Sequence, residues 1–231
     1  MSYYNGPTIV TNGLVMYLDL GNKKSYPGSG TSLTDITNLG GTVATAGSPT
    51  FSANNLGYMT FNGTSQYINV SRTDLNGGTW AYTNVTAIAW INIDNTSSTA
   101  DNNIMTVENS WEYRWNNNNN GTSHLYYASN PWAWYGPGTA VSNGIWQMLT
   151  FRHDASNGEV FSNKTRLFTQ GISGTIGAGS STYPNLTLMS RLSGAGSWAK
   201  GNLAIALVYN RAISNLEIAQ IHDATRGRFG V

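Results

Sequence analysis

Glu108 and Glu112 are the closest pair of glutamates in the chain. Their even spacing would put both on one face of a continuous strand. Two carboxylates flanking a glycosidic bond are the apparatus of glycoside hydrolysis. Ser110-Trp111 interrupts such a strand, however. The other acids (Asp19, Asp35, Asp74, Asp94, Asp101, Asp154, Glu159, Glu217 and Asp223) form no run that lines up alternate carboxylates. The expectation is a chain with no catalytic residue, not an enzyme. His124, His153 and His222 lack the paired spacing of a metal site. His153 is expected to pair with the neighbouring Asp154. Residues 94–103 hold two aspartates and several asparagines, which a hard cation could use, but a solvated loop is the simpler reading. Cysteine is absent, so there is no thiolate ligand, thiol nucleophile or disulfide. No metal and no cofactor are expected.

The strongest local feature is aromatic. Residues 111–135 contain Trp111, Tyr113, Trp115, Tyr126, Tyr127, Trp132, Trp134 and Tyr135. In a strand, Trp111, Tyr113 and Trp115 share a face. Two readings stand for the group. It is sandwich core or subunit interface, or it is an exposed platform that stacks on sugar rings while asparagines supply hydrogen bonds. Trp132, Trp134 and Tyr135 are the best exposed candidates, because Pro131 and Gly136-Pro137-Gly138 mark a loop. The candidate carbohydrate-contacting set is therefore Trp132, Trp134, Tyr135, Trp111, Tyr113 and Trp115. A second candidate is the tail, where Arg226, Arg228 and Phe229 could dock on a protein partner by pairing with carboxylates and burying one ring. A frayed terminus is its alternative.

These residues need elements to hold them. The apolar residues come in short runs rich in β-branched and aromatic types, broken by Asn-Gly, Gly-Ser, Gly-Gly and Pro-Gly. That is the pattern of an all-β sandwich. Strands are expected at 14–18, 58–61, 67–70, 86–93, 104–108, 112–115, 125–127, 146–153, 165–169, 186–190 and 203–209. Asn62-Gly63, Asn120-Gly121 and Asn157-Gly158 each suit a hairpin turn. Residues 28–50 read as a long surface excursion with scattered apolar residues at Leu33, Ile36, Leu39 and Val43. Ser214-Asn-Leu-Glu217 is a capping box. It opens a helix over 215–224, with Leu216, Ala219 and Ala224 on one stripe. Residues 1–231 are read as one domain, with an arm at 1–12 and a tail at 225–231.

Composition narrows the function. The chain has 231 residues, 12 basic and 11 acidic, and only 10% are charged. With a net charge of +1, there is no basic field to grip nucleic acid. No apolar run approaches the ~18 residues of a membrane span. The first 30 residues carry no basic region followed by an apolar one, so no secretory signal is expected.

The order of segments carries a resemblance. Tyr58-Met-Thr-Phe-Asn-Gly-Thr-Ser-Gln-Tyr-Ile-Asn-Val70 resembles the hairpin that opens laminin-G-like jelly rolls. Residues 85–93 (VTAIAWINI) and 146–154 (WQMLTFRHD) resemble two of their internal strands. Residues 201–219 (GNLAIALVYNRAISNLEIA) resemble their closing segment. The chain is similar to the concanavalin A-like lectin/glucanase superfamily. The resemblance implies an all-β, two-sheet antiparallel jelly-roll sandwich with one short C-terminal helix, and core roles for Trp90 and Trp146. The family hosts lectins, adhesion modules, hydrolases and inert structural domains. Asn62, Ala204 and Ala206 replace acids of the family pattern, which argues against a calcium site at the sandwich edge.

Residues 13–30 and 224–231 are similar to segments of virion structural proteins of tailed phages, especially those of cyanobacteria. That implies a non-enzymatic virion structural protein, a capsid decoration or a tail, fibre or baseplate component. It would lie on the virion surface with other virion proteins as partners, as a homo-oligomer, and with host-surface polysaccharide as a possible ligand. The alternatives are a dedicated carbohydrate-binding adhesin and, behind it, a glycoside hydrolase.

Overall fold

The computed structural model describes residues 7–71, 80, 82–94, 96, 101–116, 122–127, 133–135, 142–171 and 176–231. For 101, 116, 122–127 and 133–135 it describes the backbone alone. The strands in chain order are β1 Leu14–Asp19, β2 Ser32–Leu33, β3 Thr42–Ala46, β4 Thr50–Ser52, β5 Tyr58–Asn62, β6 Tyr67–Ser71, β7 Val85–Ile93 and β8 Asp101–Val107. Then come β9 Trp111–Asn116, β10 Thr122–Tyr127, β11 Ala133–Tyr135, β12 Trp146–His153, β13 Asn157–Ser162, β14 Thr165–Gly171, β15 Leu186–Leu188 and β16 Lys200–Tyr209. One helix, α1 Asn215–Thr225, follows. No helix among the described residues is long and apolar enough to cross a membrane.

The strands form two antiparallel sheets, the sandwich that the sequence predicts. The first runs β14-β13-β12-β7-β16-β5-β4, with β1 also on β16. The second runs β11-β10-β9-β8-β15-β6-β3-β2. Strand β16 is the keystone of the first sheet. One edge of it pairs with β7, while β5 takes Lys200 to Leu203 and β1 takes Ile205 to Tyr209 on the other.

Alternation sorts each strand between two environments. From the first sheet Met59, Phe61, Ile91, Ile93, Leu149 and Phe151 enter the space between the sheets. From the second sheet Ile68, Val70, Met105, Val107, Leu186 and Leu188 meet them. The outer face of the first sheet carries a second apolar cluster with Ile88, Trp90, Met148 and Leu207, covered by Ile218 and Ile221 of α1.

The predicted capping box is present. Ser214 accepts from the Glu217 amide at 3.2 Å, and Glu217 accepts from the Ser214 amide at 2.7 Å. Arg211 holds the same carboxylate from the side, and together they draw the Glu217 pKa down to about 2. The expected stripe is wrong, though. The helix buries Ile218, Ile221, His222 and Thr225, a spacing of three and four, and leaves Leu216 83% exposed.

Three local expectations also change. Residues 28–50 are not only an excursion, because β2 and β3 lie there and extend the second sheet through Leu33 and Val43. Asn62-Gly63 is no hairpin turn. It passes the chain from β5 in one sheet to β6 in the other, with Asn62 Oδ1 accepting from the amides of Thr64 and Ser65. Asn157-Gly158 belongs to β13. The turn before it is organised by Asp154, whose Oδ1 accepts from the Ser156 and Asn157 amides. Asn120-Gly121 lies outside the described residues, between β9 and β10, which pair antiparallel on either side.

Candidate functional site

Strand β9 decides the fate of the aromatic row. Trp111, Tyr113 and Trp115 share one face as expected, and that face is the core. All three are fully buried. The Phe151 ring of β12 lies 6.0 Å from Trp111 and 6.1 Å from Tyr113, across the gap between the sheets. Trp111 Nε1 donates to the Trp80 carbonyl at 3.3 Å. Large rings fill the roughly 10 Å between packed sheets better than aliphatic chains would. These three residues are therefore withdrawn as a surface platform for sugar.

The opposite face of β9 carries charge. Glu112 and Arg114 project there beside Asn103 and Thr106 of β8, and all four are buried. The chain turns between β8 and β9 at Glu108 to Ser110, with Ser110 N donating to the Val107 carbonyl. The two glutamates thus do not share a continuous strand, yet they converge. Arg191 reaches in from the segment after β15. Its Nε and Nη2 donate to the two oxygens of Glu108 at 2.8 and 2.7 Å. The same Nε lies 2.7 Å from Glu112 Oε1. Its proton is directed to Glu108, so the contact with Glu112 is one of charge. Asn103 Nδ2 donates to Glu112 Oε2 at 3.3 Å, and Arg114 stands 4.0 Å from the same oxygen.

Burial pushes the Glu112 pKa up to about 7, against the pull of Arg191 and Arg114 and with a smaller upward push from Glu108. Segment 190–198 closes over this cluster. Ser190 and Arg191 both donate to the Gly196 carbonyl, and Asn103 N donates to Ser197 O at 3.1 Å. Two carboxylates sharing one guanidinium, with Glu112 wholly buried, form an ion-pair cluster. A hydrolytic pair needs its acids apart, with a sugar between them.

Strand register separates two of the remaining candidates. Trp134 pairs with Tyr126, which pairs with Glu112. Tyr135 pairs with Leu125, which pairs with Tyr113. Trp134 thus stands in the cross-strand row of the charged face and Tyr135 in the row of the core. Strand β11 is the edge of this sheet. Trp132 and the side chains of Trp134 and Tyr135 lie outside the described residues.

The tail is neither frayed nor free for docking. Phe229 is buried, with its ring stacked on Trp90 at 4.2 Å and tilted against Trp146 at 4.8 Å. Arg228 pairs with Asp19 at 2.6 Å and donates to the Asn55 and Gly57 carbonyls. Arg226 reaches Asp223 at 3.3 Å and the Val231 carbonyl at 3.1 Å. The ring and guanidinium chemistry expected for a partner is satisfied within the chain. The described part of the arm is held likewise, since Tyr209 donates to the Val10 carbonyl and Gln220 to that of Thr8. His153 is buried and its Nδ1 contacts the Thr83 carbonyl at 3.1 Å. Burial draws its pKa down, while Asp154 serves the turn. Among the described residues no group of three His, Cys, Asp or Glu is disposed to hold a metal ion.

The sequence reading missed an open cleft of about 330 Å³ on the outer face of the first sheet. Thr60, Asn92, Asn143 and Asn202 line it, with Asp94 and Lys200 at one end. These residues come from β5, β7 and β16 and the segments beside them, so only the register assembles them. Asn202 lay outside the strand expected at 203–209, and nothing in the sequence said that Thr60, Asn92 and Asn202 were neighbours.

The comparisons with known proteins agree with this architecture. No curated protein matches the chain. Among solved structures, domain 4 of an extracellular arabinanase from Geobacillus stearothermophilus, in complex with arabinotriose, superposes with a TM-score of 0.67 at 14% identity. The match covers 90% of this chain and 98% of that one. The botulinum neurotoxin type G receptor-binding domain gives 0.67 at 11% identity, covering 92% of this chain and 51% of the other. The botulinum neurotoxin serotype D ligand-binding domain, in complex with N-acetylneuraminic acid, gives 0.67 at 15% identity, with 91% and 50% covered. The chain thus spans about half the length of the neurotoxin domains. At these identities the likeness is one of fold. A family model for laminin-G-like domains matches residues 62–219, and the chain belongs to the concanavalin A-like lectin/glucanase superfamily.

Proposed function

We propose that this protein is a non-enzymatic virion structural component of a tailed phage, a lectin-like sandwich on the particle's outside that binds polysaccharide on the host surface. The observation that carries the non-enzymatic part is the state of Glu108 and Glu112. They are buried and tied to one guanidinium, so neither is presented to a substrate. The binding part is supported by the fold shared with a domain solved with arabinotriose and by a surface built from uncharged amides and hydroxyls. The virion part rests on the resemblance of residues 13–30 and 224–231 to phage structural proteins. Rigid anchoring of the tail by Trp90 and Asp19 suits a particle component that must persist outside a cell.

A glycan array with the purified protein tests the binding, together with an assay for newly formed reducing ends. The expected result is saturable binding with no release of reducing sugar. Release that disappears in Glu112→Gln would make the protein a hydrolase. Mass spectrometry of purified particles tests the location, where hundreds of copies mean a decoration and a few mean a fibre or baseplate. Its absence from particles would leave a dedicated adhesin.

A further inference from the structure

The outer face of the first sheet has two halves. One is sealed by α1 and Phe229 over Trp90 and Ile205. The other is crossed by a single row of residues, Trp146, Asn92, Asn202, Thr60 and Thr50, contributed by β12, β7, β16, β5 and β4 in turn. Their sequence neighbours Ile91, Ile93, Leu203, Met59 and Phe61 point into the core, so this row points out. Asn92, Asn202 and Thr60, the middle of that row, floor the 330 Å³ cleft, a volume within the range of small-ligand sites, about 300–1,000 Å³.

The floor is partly pre-organised. Thr60 Oγ1 donates to Asn202 Oδ1 at 2.7 Å, which orients the amide and turns its Nδ2 donor outward. Asn92 Nδ2 donates to the Gly144 carbonyl at 3.2 Å, which leaves its Oδ1 as the acceptor. Donor and acceptor thus sit on adjacent strands, about 5 Å apart in the sheet. At the end of the cleft, Lys200 pairs with Asp94 at 3.0 Å and donates to Thr96 at 2.6 Å, so its charge is already matched. Gly201 lets the strands meet here. Its φ is +143°, and a Cβ would stand 2.5 Å from the Asn92 carbonyl oxygen. Next in the chain to the lining residue Gly144, Ile145 is 53% exposed, and Trp146, paired with Asn92 across the strands, is half-buried, its ring edge-on to Tyr58 at 5.4 Å.

We propose that this cleft is a saccharide site for a neutral, unmodified glycan segment, a reading that rests on the carbohydrate binding proposed above. Adjacent sugar hydroxyls each donate and accept, which matches the Asn202 donor beside the Asn92 acceptor. Ile145 and Trp146, adjacent to the lining residues Gly144 and Asn92, offer apolar surface to the C–H face of a ring. Among the described residues of this cleft the cation is Lys200, already paired with Asp94, so a carboxylated or sulfated glycan gains no unpaired charge from it.

The test is calorimetric titration with neutral glucose-, galactose- and arabinose-based trisaccharides and one sialylated trisaccharide. It is run on the wild type, Asn92→Ala/Asn202→Ala and Trp134→Ala, with circular dichroism as the fold control. The expected result is that a neutral trisaccharide binds, that the double asparagine variant loses at least tenfold in affinity, and that Trp134→Ala does not. Amide ¹⁵N shifts on titration should include the Asn202 side chain. If the double variant binds as the wild type does while Trp134→Ala abolishes binding, this site is wrong and the carbohydrate reading survives at the β11 edge. Tighter binding of the sialylated sugar also overturns the site. If the wild type binds no saccharide, both readings fall and the cleft is left for a protein partner.

Discussion

Replacing Phe229 with alanine removes the ring that closes the outer cluster of the first sheet. That ring stacks on Trp90 at 4.2 Å, leans on Trp146 at 4.8 Å and is 7% exposed. Buried Phe→Ala changes cost about 3–5 kcal/mol. The tail can relax more than a central strand, so the lower figure, about 3 kcal/mol, is expected. In a chain of this length that lowers the melting temperature by roughly 6–12 °C. Urea unfolding followed by tryptophan fluorescence measures it, and near-ultraviolet circular dichroism reports the packing of Trp90 and Trp146. Arg226→Ala is the control. Arg226 sits three residues away with a half-exposed side chain, and its loss should stay within about 0.5 kcal/mol. A loose docking tail would make both changes equally silent. A Phe229→Ala loss under about 1 kcal/mol with an unchanged near-ultraviolet spectrum would refute the intramolecular anchoring of the tail.

Removing Arg191 leaves Glu108 and Glu112 facing each other in a buried site, so Arg191→Ala should cost about 3 kcal/mol in urea unfolding. Glu112 makes stability depend on pH with a definite sign. Its folded pKa of about 7 lies above the ordinary 4.5, so the folded state keeps a proton that the unfolded chain releases. Its contribution is fully present below about pH 4.5 and is lost as the pH rises to 7, at up to about 1.4 kcal/mol per pH unit. Glu112→Gln should flatten that decline, as unfolding curves at pH 5 and pH 7.5 would show. Ser214→Ala removes the helix cap and should cost about 1 kcal/mol by the same assay.

Much of the sandwich was legible because its central strands are buried on both faces and so read as nearly continuous apolar runs. Strands β7, β12 and β16 carry long β-branched and aromatic runs, and the helix announces itself through Ser214 and Glu217. What escaped did so for physical reasons. Strands β2 and β3 have two and five residues with one buried side chain each, too few for a period to show. Asn157-Gly158 has the chemistry of a turn, but the amides were claimed first by Asp154, and the pair became strand. Trp111, Tyr113 and Trp115 were correctly placed on one face. A single strand, however, cannot reveal which of its faces a second sheet will cover. Trp90 and Asp19, the tail's partners, lie more than a hundred residues upstream, so a local reading saw Arg228 and Phe229 as unclaimed. The cleft is a product of register alone.

Strand β16 has a consequence for how the molecule is made. A ribosome delivers it after every strand it joins. The β12, β13 and β14 meander can fold onto β7 while synthesis continues, but the edges of β7, β5 and β1 that face β16 have no occupant until residues 200–209 emerge. Open edges of this kind recruit strands from other chains. The nascent protein is therefore exposed to misassembly until these residues have left the ribosome. The segment that ends the exposure is one piece of chain with two tasks in sequence. Residues 200–209 fill the gap in the sheet, and 215–229 then cover the apolar face that filling it has completed.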